Sequence, residues 1–286
     1  MKVAAVTMVY NEAHFLPRWI HHYAAQFGAE NCTVVDHGSD DGCTANLGRV
    51  NLLRIPRSPH ANRLRALFIS GVCSALLAWY DWVIYTDVDE LLVADPEHYP
   101  SLNELLAASP HKVITAIGFN VHHEEWREPP IDPDRPVSEQ RRWTMMVVSE
   151  CKPLAISRPV QWVAGFHCCD APVAFDRLFL FHLRNYDARQ SLQRLQKTRT
   201  QAWSEEGAPT AESVIGDDEW RSRMQKTMQQ IRRVGLGLDI EKPPLAGLLD
   251  FLKKEAAERE NELFKLRLSR HVSELWELPR RFVGTF

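Results

Sequence analysis

The sequence predicts an α/β fold in which a mixed, mostly parallel central sheet is flanked by helices. Short apolar segments rich in β-branched residues recur along the first half of the chain, and amphipathic segments with helical spacing separate them. Polar residues follow the carboxyl ends of these apolar segments. Because alternating strands and helices are joined by crossovers, the strands lie parallel and bring their carboxyl ends to one edge of the sheet.

The first half of the chain contains two predicted helices and four predicted strands. The first helix, Ala13–Phe27, has apolar residues at helical spacing, and Gly28 follows it as a helix-ending glycine does. The second helix, Asn62–Trp79, begins after two prolines and has an apolar stripe. The stripe consists of Leu64, Leu67, Phe68, Val72, Leu76 and Leu77. The strands are Val3–Val9, Cys32–Val35, Leu52–Ile55 and Trp82–Thr86.

The second half has few helical patterns before residue 187. Its predicted strands are Lys112–Val121, Trp143–Val148, Leu154–Ile156 and Val173–Phe181, and four prolines make Glu128–Pro136 a loop. Its predicted helices are Asp187–Trp203, Glu219–Val234 and Leu245–Leu268. A break at Gly207–Pro209 divides this part of the chain. We therefore expect one α/β domain over residues 1–205 and a helical C-terminal extension over residues 206–286.

Composition narrows the class of protein. The 286 residues are 45% hydrophobic and 25% charged, and the formal net charge is −3, so we expect no nucleic-acid partner. The longest charge-free apolar stretch, Ala66–Tyr80, is shorter than the roughly 20 residues that span a bilayer, which leaves only peripheral membrane contact open. Met1–Tyr10 lacks the basic region of a signal peptide, and no CxxC pair occurs among the six cysteines. We expect reduced thiols and a cytoplasmic protein.

The strongest chemical motif is Asp87-Val88-Asp89-Glu90, directly after the apolar strand Trp82–Thr86. In extended geometry the carboxylates of Asp87 and Asp89 point the same way. Mg²⁺ typically takes one or two carboxylates together with substrate phosphates, so this spacing predicts a metal site. A solvated acidic turn is the alternative.

Two further polar segments follow strand ends. Tyr10-Asn11-Glu12 follows the first strand, and Asp36-His37-Gly38-Ser39-Asp40-Asp41-Gly42 follows the second. Asp36 can accept a hydrogen bond from a nucleobase, although an ordinary loop whose Asp41 caps a helix explains the second segment equally well. We expect all three segments at the same edge of the sheet.

In their order and spacing, these three motifs resemble those of the family 2 glycosyltransferases and their relatives of the GT-A fold. The resemblance is clear over residues 1–93 and fainter to about residue 197. It implies a GT-A-like nucleotide-diphospho-sugar transferase that uses Mn²⁺ or Mg²⁺. His37 and Cys43 depart from the family pattern and leave the nucleobase open.

The resemblance also implies roles for individual residues. Asp36 would contact the base, while Asp87 and Asp89 would hold the metal that bridges the diphosphate. Arg63 would reach the diphosphate, or lie solvated. The remaining donor-binding candidates are Tyr10, Asn11, Glu12, Asp87, Lys152 and Arg158. Lys152 and Arg158 belong to a K-x-I-x-R-P-like segment and can pair with phosphate.

Two later histidines, His167 and His182, look like those of the same branch. His167 would complete the metal site, and a structural histidine is the alternative for each. An inverting transferase also needs a carboxylate base on the acceptor hydroxyl, for which Glu124, Glu125 and Asp170 are candidates. For each of these a polar loop is the alternative.

Together these features predict a metal-dependent glycosyltransferase that uses a nucleotide-sugar donor, with UDP as the favoured nucleotide. The expected acceptor is a carbohydrate or a glycolipid, as in cell-surface polysaccharide or glycolipid assembly. One alternative is a catalytically degenerate sugar-nucleotide-binding protein. The other is a haloacid-dehalogenase-like phosphatase with an Asp nucleophile. The apolar stripe within Asp250–Arg270 favours packing or a homodimer through the C-terminal helices over membrane contact.

Overall fold

The computed structural model describes residues 1–204, 214–235, 237–256, 264, 266 and 274–286. It shows a mixed α/β protein built around a large central sheet, as the sequence predicts. The helices are α1 (Leu16–Phe27), α2 (Asn62–Leu76), α3 (Leu102–Ala108), α4 (Ala188–Thr200), α5 (Asp217–Gln230) and α6 (Leu245–Ala256). The strands are β1 (Val3–Val9), β2 (Cys32–Asp36), β3 (Asn51–Arg54), β4 (Trp82–Tyr85), β5 (Glu90–Ala94), β6 (Val113–His122), β7 (Trp143–Met146), β8 (Pro153–Ile156), β9 (Phe175–Asn185), β10 (Arg232–Val234) and β11 (Glu274–Glu277).

The sheet is parallel at one end and mixed at the other. Its main path runs β10-β11-β7-β6-β8-β4-β1-β2-β3, and β9 pairs with both β5 and β6. The pairs β4–β1, β1–β2 and β2–β3 are parallel, whereas β8 lies antiparallel between β4 and β6. The prediction of parallel strands is therefore confirmed for the first four strands. The second half of the chain adds mainly antiparallel pairs. This arrangement places the ends of β1, β2 and β4 at one edge.

Helix α1 covers the strand that the sequence did not predict, β5. Tyr23 Oη donates to Glu90 O at 3.2 Å and accepts from Leu92 N at 2.9 Å, and His22 Nε2 lies 2.8 Å from Leu92 O. Burial lowers the pKa of His22 to about 4, so this imidazole is neutral and donates to the carbonyl. Side chains of α1 thus form hydrogen bonds with backbone N–H and C=O groups of β5 that are not paired with a neighbouring strand.

Helix α2 turns part of its predicted apolar stripe toward solvent. Its buried residues are Ala66, Ile69, Ser70 and Cys73. Leu64 and Leu67 are each 54% exposed, and Phe68 is 38% exposed. The small residues allow α2 to lie close to the core, where Ser70 Oγ accepts a hydrogen bond from Trp162 N at 3.1 Å. The larger side chains remain outside.

The C-terminal part of the chain is not purely helical. The predicted helix Glu219–Val234 is α5 followed by β10, and β11 joins the central sheet beside β7. Trp276, Phe282 and Phe286 pack in the main core, where Phe286 stacks on Phe181 with ring centroids 4.2 Å apart. The expected helical extension is therefore wrong in part, because these residues complete the sheet and core.

Several predictions about this region fall on residues that the structure does not describe. The boundary between residues 205 and 206 and the break at Gly207–Pro209 both lie outside the described residues. The predicted helix Leu245–Leu268 is described as far as Ala256. None of the helices in the described part of the chain combines the length and apolarity that a bilayer crossing requires.

Candidate functional site

A cleft of about 220 Å³ opens at the carboxyl edge of β1 and β4. Its charged lining residues come from four separate parts of the chain. They are Glu12, Arg57, Arg65, Asp87, Arg194 and Lys197. Tyr10, also at the cleft, lies under the Arg57 guanidinium, whose central carbon is 3.6 Å from the ring centroid. The sheet edge at which the polar loops are predicted to meet is therefore a cleft, and basic side chains outnumber carboxylates in its lining.

The carboxylates of the Asp87-Val88-Asp89-Glu90 motif diverge. Residues 88 and 89 form a turn, closed by a hydrogen bond of 3.0 Å from Glu90 N to Asp87 O, so the expected extended geometry is wrong. The Asp87 side chain lines the cleft and is 25% exposed, whereas that of Asp89 is only 2% exposed. The turn presents one carboxylate to the cleft and buries the other beneath it.

Asp87 is held between two cations. Arg65 donates to Asp87 Oδ1, and Lys152 Nζ lies 3.9 Å from Asp87 Oδ2. Burial favours the neutral carboxyl, but Arg65, Lys152 and Arg194 together lower the pKa of Asp87 well below its ordinary value. Asp87 is consequently a carboxylate at any pH near neutrality, and Arg65 stays charged.

Asp89 is paired with Arg194 from α4 and with His182 from β9. Arg194 donates to Asp89 Oδ2, and His182 Nε2 lies 2.9 Å from the same oxygen. Burial lowers the pKa of His182, and its Nε2–H donates to this carboxylate, which can only accept. The second histidine of the predicted motif pair thus orients the buried carboxylate.

Beneath Asp87 lies a buried cluster centred on Lys152. Its ammonium contacts Glu90 Oε1 and lies 3.1 Å from Glu150 Oε2. Burial opposes the charge on Lys152, but Glu150, Glu90 and Asp87 raise its pKa above the ordinary value. Burial alone would raise the pKa of Glu150, yet Lys152 and His182 lower it to about 2. Lys152 is therefore an internal cation that neutralises buried carboxylates.

The loop after β1 is fixed to its surroundings by Asn11 and Lys197. Asn11 has a φ of 54°, a left-handed conformation that asparagine tolerates, and its Nδ2 donates to Asp40 Oδ1 at 2.7 Å. Lys197 Nζ donates to Asn11 O at 2.9 Å and pairs with Glu12. The loop after β1 and the loop after β2 are thus brought together, and α4 covers them.

Asp36 supports the second loop from within. Its side chain is fully buried, Oδ1 accepts from Ser39 N at 2.7 Å, and Oδ2 accepts from Thr44 Oγ1 at 2.8 Å. Burial disfavours the charge, but these hydrogen bonds and Arg54 lower the pKa of Asp36 below its ordinary value. Both oxygens are therefore engaged by the protein.

Like Lys152, three further basic candidates from the sequence do not line the cleft. Arg63 is exposed on α2, and Arg65, two residues further along, reaches the cleft instead. Arg158 donates to the backbone oxygens of Pro159 and Asp170. His167 Nδ1 lies 2.6 Å from Ser149 O, and burial together with Lys152 lowers its pKa.

The three candidate bases also lie outside the cleft lining. Glu124 is buried, accepts from Trp143 Nε1 at 3.2 Å, and pairs with Arg233 at 2.9 Å. Glu125 is exposed beside a separate small pocket, and exposed Asp170 accepts from Gln161 N. The structure does not bring them together.

Sequence reasoning missed most of the basic lining. Arg57, Arg65, Arg194 and Lys197 belong to no motif that the sequence displays. Arg194 and Lys197 are three residues apart, which places them on one face of a helix, but nothing in the sequence says what that face meets. Only the docking of α4 over the β1 and β4 loops reveals their role.

A divalent cation fits the Asp87–Asp89 pair only if basic side chains give way. The pair provides hard carboxylate oxygens, which suit Mg²⁺ or Mn²⁺ when substrate phosphates complete the shell. Among described residues, the three-ligand group with atoms within 4.8 Å of one another is Glu90, Glu150 and His182, not Asp87, Asp89 and His167. Lys152 already neutralises the former group. Arg65 and Arg194 occupy the carboxylates of Asp87 and Asp89 in the same way, so an ion at this pair has to displace them.

No protein-family model and no curated protein matches the sequence. Two solved structures with some likeness are transferases. One is the mannosyltransferase PcManGT from Pyrobaculum calidifontis in complex with GDP-Man and Mn²⁺, at 20% identity over 44% of this chain and 36% of that chain, with a TM-score of 0.28. The other is mannose-1-phosphate geranyltransferase from Thermus thermophilus, at 12% identity over 70% of this chain and 61% of that chain, with a TM-score of 0.31. The chain spans less than two thirds of either protein, and similarity this low does not bear on function.

Proposed function

We propose that the chain is a glycosyltransferase that moves a sugar from a nucleotide-diphosphate donor, with a UDP-sugar as the favoured donor, to an acceptor hydroxyl. The acceptor class that we propose is a carbohydrate or a glycolipid, as in cell-surface polysaccharide or glycolipid assembly. The observation that carries the proposal is the cleft itself. Asp87 lies there at the end of β4 among Arg57, Arg65, Arg194 and Lys197.

The charge of the cleft suits a diphosphate. Guanidinium groups bind phosphate oxygens through paired N–H donors, and four basic side chains face two lining carboxylates, Glu12 and Asp87. Arg65 and Arg194 turn from carboxylate to phosphate when the donor enters, and Lys197 supports the loop below. The ring of Tyr10 borders the same space and holds the Arg57 guanidinium over its face.

In this proposal Asp87 and Asp89 hold a Mn²⁺ or Mg²⁺ ion beside the diphosphate. When bound, such an ion supplies charge stabilisation for the leaving diphosphate. His182 donates to Asp89 and keeps that carboxylate in place, and Arg194 neutralises it in the absence of the ion. Both carboxylates that line the cleft, Glu12 and Asp87, are paired with basic side chains.

Thermal unfolding with a panel of nucleoside diphosphates, with and without Mn²⁺, tests the proposal. A ligand present at about 100 times its Kd stabilises the folded state by about 2.7 kcal/mol. For a chain of this length that corresponds to an increase in Tm of roughly 5–10 °C. We expect one nucleotide to give this shift with Mn²⁺ and a clearly smaller shift without it.

The Asp89→Asn variant, which keeps the side-chain shape, should lose the Mn²⁺-dependent part of the shift. Asp218→Asn is the matched control, because Asp218 is exposed on α5 and should leave the shift unchanged. An equal Mn²⁺-dependent shift in Asp89→Asn, or retained metal-dependent donor hydrolysis by that variant, would refute the metal assignment. If no nucleoside diphosphate shifts the wild-type Tm, the donor assignment is wrong.

A second candidate is a protein that binds the sugar nucleotide without turnover. It is favoured by one observation: Glu124, Glu125 and Asp170 lie outside the cleft lining, so none of the expected bases is placed to act. Donor binding without transfer or hydrolysis, measured across a panel of carbohydrate and lipid acceptors, would support this candidate over the enzyme.

A further inference from the structure

Among the residues that the structure describes, four of those lining the cleft carry an aromatic ring: Tyr10, His37, His60 and Trp203. The Arg57 guanidinium lies over the face of Tyr10, and it also donates to His37 Nδ1 at 3.1 Å. His60 packs edge-to-face against Trp203, with ring centroids 4.8 Å apart, and so covers at most one face of the indole. Trp203 is half-buried and carries the largest of these rings. It is therefore the aromatic side chain of the cleft that can offer a ring face to a ligand.

The backbone on both sides of Trp203 is fixed to the opposite wall of the cleft. His60 N donates to Ala202 O at 2.8 Å, and Ser204 N donates to His60 O at 3.0 Å, which forms a short parallel bridge. The indole Nε1 donates to Thr198 O at 3.4 Å. Trp203 is not part of the main apolar core of the described residues. A large ring is thus held beside a polar cleft, and its backbone loses little conformational freedom when a ligand stacks on it.

Trp203 directly follows the helix that carries two of the basic side chains of the cleft. Arg194 and Lys197 lie on α4, and Gln201 caps the end of this helix. All of these residues line the cleft, and Arg194 and Gln201 are about 10 Å apart along the helix axis at 1.5 Å per residue. The cations and the indole ring therefore occupy separate places along one wall. A nucleotide has the same order of parts, because a ribose separates its base from its diphosphate.

We propose that the indole ring of Trp203 is the platform on which the nucleobase of the donor stacks. This assignment rests on the proposed function and adds the part of the site that holds the base. Asp36, the residue expected in that role, has both carboxylate oxygens engaged within the loop after β2. Every nucleobase has a π-face, so a stacking platform favours a nucleotide over free diphosphate without selecting one base.

Isothermal titration calorimetry with UDP, CDP, ADP, GDP and inorganic pyrophosphate, each with Mg²⁺, tests the role of Trp203. We expect at least one nucleotide to bind the wild type more tightly than pyrophosphate does, because stacking adds to the phosphate contacts. Trp203→Leu keeps an apolar side chain but removes the aromatic face. It should weaken binding of that nucleotide at least about fivefold, the equivalent of about 1 kcal/mol. Its affinity for pyrophosphate should stay as in the wild type.

Two further variants and a second measurement complete the test. Trp203→Phe retains an aromatic face and should keep most of the nucleotide affinity that Trp203→Leu loses. Trp79→Leu is the matched control, because Trp79 is 80% exposed, lies outside the cleft lining and should bind every ligand as the wild type does. Circular dichroism checks folding. If Trp203→Leu does not fold, tryptophan fluorescence replaces it: the nucleotide should quench the wild type and should not quench Trp203→Phe.

The assignment is overturned if folded Trp203→Leu binds the nucleotide as the wild type does. It is also overturned if the variant loses pyrophosphate to the same extent, or if only its affinity for a UDP-sugar falls, since the ring would then support the phosphates or hold the sugar. If pyrophosphate binds the wild type as tightly as every nucleotide, the assignment is wrong and the diphosphate site stands. If neither pyrophosphate nor any nucleotide binds, the proposed function is wrong and the assignment falls with it.

Discussion

Replacing Lys152 by methionine should destabilise the protein strongly, and more so at pH 7 than at pH 5. The ammonium of Lys152 lies 3.1 Å from Glu150 Oε2 and contacts Glu90 Oε1, and its side chain is 5% exposed. Two unit charges at this separation attract by about 5 kcal/mol at an effective dielectric constant of about 20. Desolvation of the ammonium offsets part of this, but removal of one partner of a buried pair typically costs about 3–5 kcal/mol.

The pH dependence follows from the pKa values of the two carboxyl groups. In the wild type the folded pKa of Glu150, about 2, is below its unfolded value, so its contribution is present above about pH 4.5 and is lost as pH falls towards 2. Burial already raises the pKa of Glu90 in the wild type, and Lys152 opposes that rise. Without Lys152 the folded pKa of Glu90 rises further, and that of the neighbouring Glu150 rises above its unfolded value. The folded variant then binds more protons than the unfolded chain, and its stability falls as pH rises from 5 to 7.

Urea unfolding followed by circular dichroism at pH 5 and pH 7 measures both effects. The double variant Lys152→Met/Glu90→Gln should recover at least about 1 kcal/mol, because it removes one unpaired charge. Lys242→Met is the matched surface control, since Lys242 is 78% exposed and its loss should cost less than about 0.5 kcal/mol. A loss below about 1 kcal/mol at pH 7, or a loss that grows towards pH 5, would refute the role of Lys152 as an internal cation.

Three further substitutions test the packing around the site, each by urea unfolding. Gly118→Ala should destabilise by about 1–3 kcal/mol or more, because its Cβ would lie 2.3 Å from backbone atoms of Glu150; a wild-type midpoint would show that β6 and the Glu150 segment are not in contact. Gly71→Ala should stabilise by up to about 1 kcal/mol, because nothing lies within 4 Å of that Cβ in α2, and a loss of stability would mean that the site is not open. Thr44→Val should cost about 1–3 kcal/mol at pH 7 by leaving Asp36 Oδ2 without its donor. Because the folded pKa of Asp36 is lowered, this cost should shrink as pH falls below about 4, and a cost independent of pH would contradict the explanation.

Much of the fold follows from the sequence, since local periodicity predicts most strands and helices. The strand Val3–Val9 has the predicted bounds, and α1 ends before Gly28, whose φ is 87°. Strand β5 is not among the predicted strands, because Glu90–Ala94 follows directly on the acidic residues Asp87 and Asp89. The helical pattern over Glu219–Val234 also predicts a helix at Arg232–Val234, which is instead strand β10 beside β11. A short segment adopts the conformation that its partner strand imposes, and local pattern does not contain that partner.

The residues of the site were likewise predicted only in part from the sequence. The strand ends placed Tyr10, Glu12 and Asp87 together, and the structure finds all three on the cleft. Asp36, the last residue of β2, instead points into the loop that follows and has both oxygens engaged. The choice between cleft and interior depends on the turn geometry after each strand.

The sequence by itself determined the alternation of strands and helices and the convergence of polar loops at one sheet edge, because both depend on near-neighbour periodicity and on the direction of parallel strands. Only the tertiary structure decided which cation meets which carboxylate. Arg194 reaches Asp89 across 105 residues and Lys152 reaches Glu90 across 62, so these pairs exist only through packing. The tertiary structure also decided that Leu64, Leu67 and Phe68 of α2 face solvent, because the core packs against the opposite side of the helix.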